Sequence, residues 1–196
     1  MGYDRSANPG RCRLMLSPID RATIAAQLGR EPRGESTVAH RCPCGRPDVV
    51  RTHPRLLDGT PFPTLYYLTC PRATAACSRL ESQGVMRDME DRLGSDADLA
   101  AGYASAHDAY LAAREELAVV PEIAGISAGG MPHRVKCLHV LLAHALAEGP
   151  GVNPLGDEVR EAVGAWWEPN DCGTLDGETL DAVEFDVDAL PADEKG

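Results

Sequence analysis

Aromatic residues make up only 5% of this 196-residue chain, so its core must rest on Ala, Leu and Val. No apolar run approaches the roughly 18 residues that a membrane span requires, and the N-terminus lacks the apolar stretch of a signal peptide. These absences lead us to expect a soluble, cytoplasmic protein without a membrane partner. Searches for G-x-x-x-x-G-K-[ST], G-x-G-x-x-G and H-E-x-x-H find none of them, which removes the common phosphate-loop, dinucleotide and zinc-protease signatures. Gly125-Ile126-Ser127-Ala128-Gly129 fits G-x-S-x-G, but no strand precedes it as a nucleophile elbow requires, and it is dismissed. Basic charge is also in short supply. The net charge is −11, which argues against a nonspecific nucleic-acid binder.

Charge and cysteine are unevenly distributed. Residues 171–196 hold nine acidic residues and one lysine, whereas the first 170 are close to neutral. We therefore expect a loose leader over residues 1–16, one globular domain over 17–169, and an acidic, disordered tail over 170–196. Seven cysteines stand at 12, 42, 44, 70, 77, 137 and 172. In a reducing compartment such a set signals burial, reactivity or metal rather than disulfides.

The pattern along the chain predicts an α+β fold: a small antiparallel sheet from about residues 37–70 packed against about five helices. Ser17-Pro18-Ile19-Asp20 is a helix start and Gly29 its stop. Val49-Val50 and Leu65 to Thr69 have strand character, with Asp58-Gly59 as a turn between extended runs. Helical periodicity covers 71–93, interrupted near Gly84, and 96–119, where Leu99, Tyr103, Ala106, Tyr110 and Leu117 trace one stripe. Pro132 is read as opening the next helix, which ends by Gly149, and Asp157 as capping a last helix through Trp166-Trp167.

Candidate chemistry lies in Cys42-Pro43-Cys44-Gly45, in Cys70-Pro71, and in Cys137-Leu138-His139. The first puts two thiols on a proline-bent turn. The second places a thiol at a helix start, where the helix dipole favours the thiolate that metals bind. On an unbroken helix Cys137 and His139 point roughly 200° apart, so they converge only if the first turn is distorted. Otherwise Cys137 pairs better with His144 or His133. Cys42, Cys70 and Cys137, with His139, Cys44 or His144 as fourth ligand, are the candidate ligands of zinc or an iron–sulfur cluster. Cys77 and Cys172 read as incidental. Arg41, Arg134 and Lys136 are candidates for holding a small anion near these ligands.

The segments HRCPCGRPDVV (40–50), DGTPFPTLYYLTCP (58–71), GGMPHRVKCLHVLLAHALA (129–147) and GPGVNPLGDE (149–158) resemble the bacterial domain-of-unknown-function family 501, common in high-GC Gram-positive bacteria. The likeness runs from about Ile19 to Trp167. It implies that Cys42, Cys70, Cys137, His139 and Asn153 fall on the family's motif positions, with Cys44 matching the high-GC branch.

Three function classes follow. The leading one is a metal or iron–sulfur protein whose site stabilises the fold or senses redox state. The second is an enzyme acting on an anionic small molecule through Cys137 as nucleophile or redox thiol. The third is an adaptor that docks a protein partner on the arginines at 41, 46, 51 and 55 and on the acidic tail.

Overall fold

The computed structural model describes residues 15–168 and Cys172. Among these residues, six α-helices pack around one three-stranded antiparallel sheet, an α+β fold. Helix α1 (Pro18–Leu28) opens as expected: Ser17 accepts a hydrogen bond from the Asp20 amide, Pro18 occupies the first turn, and Gly29 ends the helix in the left-handed conformation. Strands β1 (Ser36–Arg41), β2 (Pro47–Thr52) and β3 (Tyr66–Leu68) lie in the order β1-β2-β3. The prolines between them keep the strands short. The Asp58-Gly59 turn closes on the Leu56 carbonyl, and the Asp58 carboxylate accepts the Thr60 amide.

Both faces of β2 are covered. Val50 packs with Ile24 and Leu16 beneath α1, while Val49 and Leu68 face the main core. That core is organised around α5 (Leu138–Glu148), whose residues Leu138 and Leu141 to Leu146 are all buried. Helix α5 packs on β3, on α2 (Pro71–Ser82) and on α6 (Pro154–Val163). Helix α3 (Val85–Leu93) follows α2 after a break at Gly84, whose φ of 87° requires glycine. Helix α4 (Ala97–Glu115) buries Tyr103, Ala106 and Tyr110 from the stripe seen in the sequence, and Tyr110 accepts the buried Leu65 amide at 2.6 Å.

Two helix starts differ from expectation. Pro132 does not open α5. Gly129 and Gly130, at φ 73° and 91°, turn the chain so that the Lys136 and Arg134 amides bond back to their carbonyls at 2.8 and 2.9 Å. Helix geometry begins only after Cys137, the N-cap, whose φ and ψ of −158° and 112° are extended. The last helix is capped by Asn153, which accepts the Gly156 amide at 2.9 Å, with Pro154 in its first turn. Asp157 instead accepts the Gly151 amide. This helix stops at Val163, so Trp166 and Trp167 lie beyond it as an edge-to-face pair. The expected leader up to residue 14 and the tail, apart from Cys172, lie outside the described residues.

Candidate metal centre

The turn between β1 and β2 is closed by the Cys42 amide donating to the Arg46 carbonyl at 2.9 Å and the Gly45 amide donating to the Cys42 carbonyl at 2.8 Å. Gly45 adopts φ 86°, which permits so tight a return. Cys42 and Cys44 therefore sit on one small loop. Cys70 arrives from the other side of the sheet. The Thr69 amide bonds the Asp48 carbonyl at 2.8 Å, tying the end of β3 to the start of β2 and setting Cys70, the N-cap of α2, beside the cysteine loop.

A fourth sulfur joins them from the far end of the chain. The Arg72 guanidinium donates to the Glu168 carbonyl at 2.6 Å, which draws the segment after α6 back over the start of α2. Four residues later the buried Cys172 thiol lies 3.5 Å from that of Cys42. The sulfurs of Cys42, Cys44 and Cys172 all fall within 4.8 Å of one another; Cys70 is not part of that mutual set and interacts with it through Cys172.

These thiols are electrostatically unequal. Cys70 is held down at about 7 by its bond with Cys172, against its burial and with help from the Arg72 and Ala73 amides at the helix start. Burial pushes Cys42 up to about 11. Cys44 is burdened by burial too, but the amides of Arg46 and Cys172 outweigh it and lower its pKa. Cys172 is raised, first by Cys70 and then by burial. Thiols next to one another in this way titrate as a set rather than singly, and deprotonated they could hold a cation.

Cys137 and His139 belong to a second group. Because Cys137 precedes the helix, the two converge: its sulfur lies 3.7 Å from His139 Nδ1. The third member is Glu81 of α2, whose Oε1 lies 3.1 Å from the same nitrogen and accepts the Leu138 amide at 2.7 Å. These three ligand atoms also lie within 4.8 Å of one another. His139 is pushed up to about 10, since the bonds to Cys137 and Glu81 outweigh its burial. His144 is in neither group; it is fully buried and its Nδ1 meets Asn153 Nδ2 at 3.2 Å.

The structure thus separates the five candidate ligands: Cys42 and Cys44 belong to one group and Cys137 and His139 to another, while Cys70 lies outside both sets and reaches the first through Cys172. Sequence reasoning missed Cys172 and Glu81. Cys172 repeats the Cys-Gly step of residues 44–45 at 172–173, a faint signal. Glu81 is one acidic residue on a polar helix face, with no signal at all. The candidate anion ligands do not converge. Arg41 makes a two-pronged ion pair with Asp20 at 2.9 Å, Arg134 pairs with Glu90, and Lys136 is exposed. Arg51 and Arg55 are likewise paired, with Glu116 and Glu122.

The fold and the cysteine group describe an α+β protein with thiols gathered where its sheet meets its helices. The model of the family described as Protein of unknown function (DUF501) matches residues 38–161, and the chain belongs to that family. No curated protein and no solved structure matches the chain. The matched span includes every residue of both groups except Cys172. Among the described residues, no helix is long and apolar enough to cross a membrane.

Proposed function

We propose that this is a zinc protein in which Cys42, Cys44, Cys70 and Cys172 hold one ion with a structural role. The observation that carries the reading is the spacing of the sulfurs. A Zn–S bond of about 2.3 Å places the thiolates of a tetrahedron roughly 3.8 Å apart. The 3.5 Å separation of Cys42 and Cys172, with Cys44 within 4.8 Å of both, fits such a mononuclear site. An iron–sulfur cluster spreads its cysteines over several irons and calls for wider spacing. Four thiolates complete the coordination shell, which is the arrangement of structural rather than catalytic zinc.

The ion would join three separate parts of the chain: the β1–β2 turn, the start of α2, and the segment after α6. Tying three segments that are distant in sequence, that cross-link would add stability beyond the packing around Tyr66, Tyr103 and Tyr110. A cleft of about 620 Å³ opens beside the turn, lined in part by His40, Arg41, Pro43, Arg160, Trp166 and Trp167.

Metal analysis of anaerobically purified full-length protein tests the proposal. One equivalent of zinc should be present and should disappear in Cys42→Ser and in Cys172→Ser. Iron with visible charge-transfer bands would move the assignment to a cluster. Metal-free protein whose melting is indifferent to added zinc and to chelators would end the reading.

A further inference from the structure

We propose a second zinc site, separate from the four cysteines, formed by Glu81, Cys137 and His139, with its fourth coordination position open to solvent. The proposal does not depend on the four-cysteine centre. It starts from three different donor types: a carboxylate on α2, an imidazole in the first turn of α5 and a thiol on the N-cap just before it, the two helices being packed against one another. Zinc accepts all three, at about 2.3 Å for sulfur and about 2.0–2.2 Å for nitrogen and oxygen. Tetrahedral angles then require N···O near 3.3 Å and N···S near 3.6 Å, as rough estimates from those bond lengths. The protein has 3.1 Å from Glu81 Oε1 to His139 Nδ1 and 3.7 Å from Nδ1 to Cys137 Sγ. An ion could enter with shifts of a few tenths of an ångström.

The surroundings suit a metal-bound histidine. With Nδ1 facing the ion, Nε2 carries the proton, and it lies 3.3 Å from Ser78 Oγ. Metal-ligating histidines characteristically donate their remaining ring N–H to an oxygen acceptor, commonly a carboxylate, carbonyl or water, and the Ser78 hydroxyl can fill that role. The Leu138 amide donates at 2.7 Å to the same Glu81 Oε1 that faces His139 Nδ1, which holds that oxygen in place and leaves it a second lone pair for an ion. A thiolate and a carboxylate beside a neutral imidazole match a divalent cation in charge. The His139 and Glu81 side chains are 22% and 23% exposed, so water can reach the fourth position. Three protein ligands with an open position are the mark of zinc that binds an exchangeable molecule.

The same geometry disfavours a cysteine–histidine catalytic pair. Such a pair uses one ring nitrogen for the nucleophile and the other for the orienting carboxylate. Here Cys137 and Glu81 both address Nδ1. The competing reading is a plain ion pair stapling α2 to α5, with Glu81 covering the first free amide of α5.

Zinc protection of Cys137 decides between them in the wild-type full chain. The protein is alkylated with iodoacetamide at neutral pH, with and without one to two added equivalents of zinc, and each cysteine is followed by mass spectrometry. A metal site predicts that zinc slows alkylation of Cys137 by on the order of tenfold or more. It also predicts that His139→Gln and Glu81→Gln largely abolish this protection. Unchanged Cys137 reactivity in zinc overturns the proposal and leaves the ion pair, as does protection that survives in both variants. Cys42, Cys44, Cys70 and Cys172 are read in the same spectra, so failure at one site is distinguished from failure at the other.

Discussion

The sulfur of Cys172 lies 3.5 Å from that of Cys42, although 130 residues separate them in the chain. Nothing in ordinary packing requires two buried thiols to meet a third and a fourth at the same place. If zinc is what they share, the segment beyond α6 is part of the folding unit and not an appendage. A chain ending at residue 170 should then lose its zinc and melt roughly 10 °C or more below the full chain. A chain ending at residue 176 should keep both. Differential scanning calorimetry with metal analysis on the two truncations checks this, and equal melting temperatures would count against it.

Gly156 sets the distance between α5 and α6. A Cβ there would come within 2.9 Å of Ala145 Cβ and 3.1 Å of Asn153 Cγ, and closer still to the Leu141 carbonyl oxygen. Backbone cannot yield to that contact without moving a helix. Gly156→Ala should therefore destabilise by about 1–3 kcal/mol or more, despite alanine's better helix propensity. Zinc content should stay unchanged, since Cys172 is tethered through Arg72 rather than through this helix contact. Urea denaturation with metal analysis measures both.

Much of this architecture is legible in the sequence because its signals are local. Ser17-Pro18, Gly29 and Asp58-Gly59 each act within a few residues, and each does in the structure what its chemistry dictates. The start of α5 is misread for an instructive reason. Proline at the first helical position is a sound rule, but Gly129 and Gly130 bind the following amides to their own carbonyls and postpone the helix until Cys137. That delay is also what brings Cys137 and His139 together. Cys172 is beyond any local rule: its partners are set by the Arg72–Glu168 bond and the return of the chain over α2. Glu81 becomes a candidate ligand only because α2 packs on α5.

Tyr110 offers a test of the core that involves neither metal group. Its hydroxyl, fully buried, accepts the Leu65 amide just before β3. Tyr110→Phe keeps the ring, and with it the edge-to-face contacts to Tyr66 and His144, but leaves that amide without its acceptor. An unsatisfied buried donor costs about 1–3 kcal/mol. Urea denaturation should show a lower midpoint with an unchanged slope, and hydrogen exchange at Leu65 should accelerate.

The last prediction concerns acid. His144 is fully buried against Tyr66 and Tyr110, and burial pushes its pKa down to about 4. Its tautomer follows from the cap of α6. Asn153 Oδ1 accepts the Gly156 amide, so its Nδ2 is the group that faces and donates to His144 Nδ1. The ring proton therefore sits on Nε2, which has no partner among the described residues. Protonating the ring would set a second N–H against the Asn153 donor. In the unfolded chain the same imidazole takes up its proton near pH 6.5. Between about pH 6.5 and 4 the unfolded state thus binds more protons than the folded one, and stability falls as pH is lowered through that window. The difference of roughly 2.5 pKa units corresponds to about 3 kcal/mol as an upper value. If the cysteines hold zinc as proposed, protonation of those thiolates would also weaken the fold in acid, so the informative quantity is a comparison. His144→Gln should be less stable than wild type at pH 7.5 yet lose less stability on acidification to pH 5. Parallel pH profiles for the two proteins would show that His144 is not a source of the acid sensitivity.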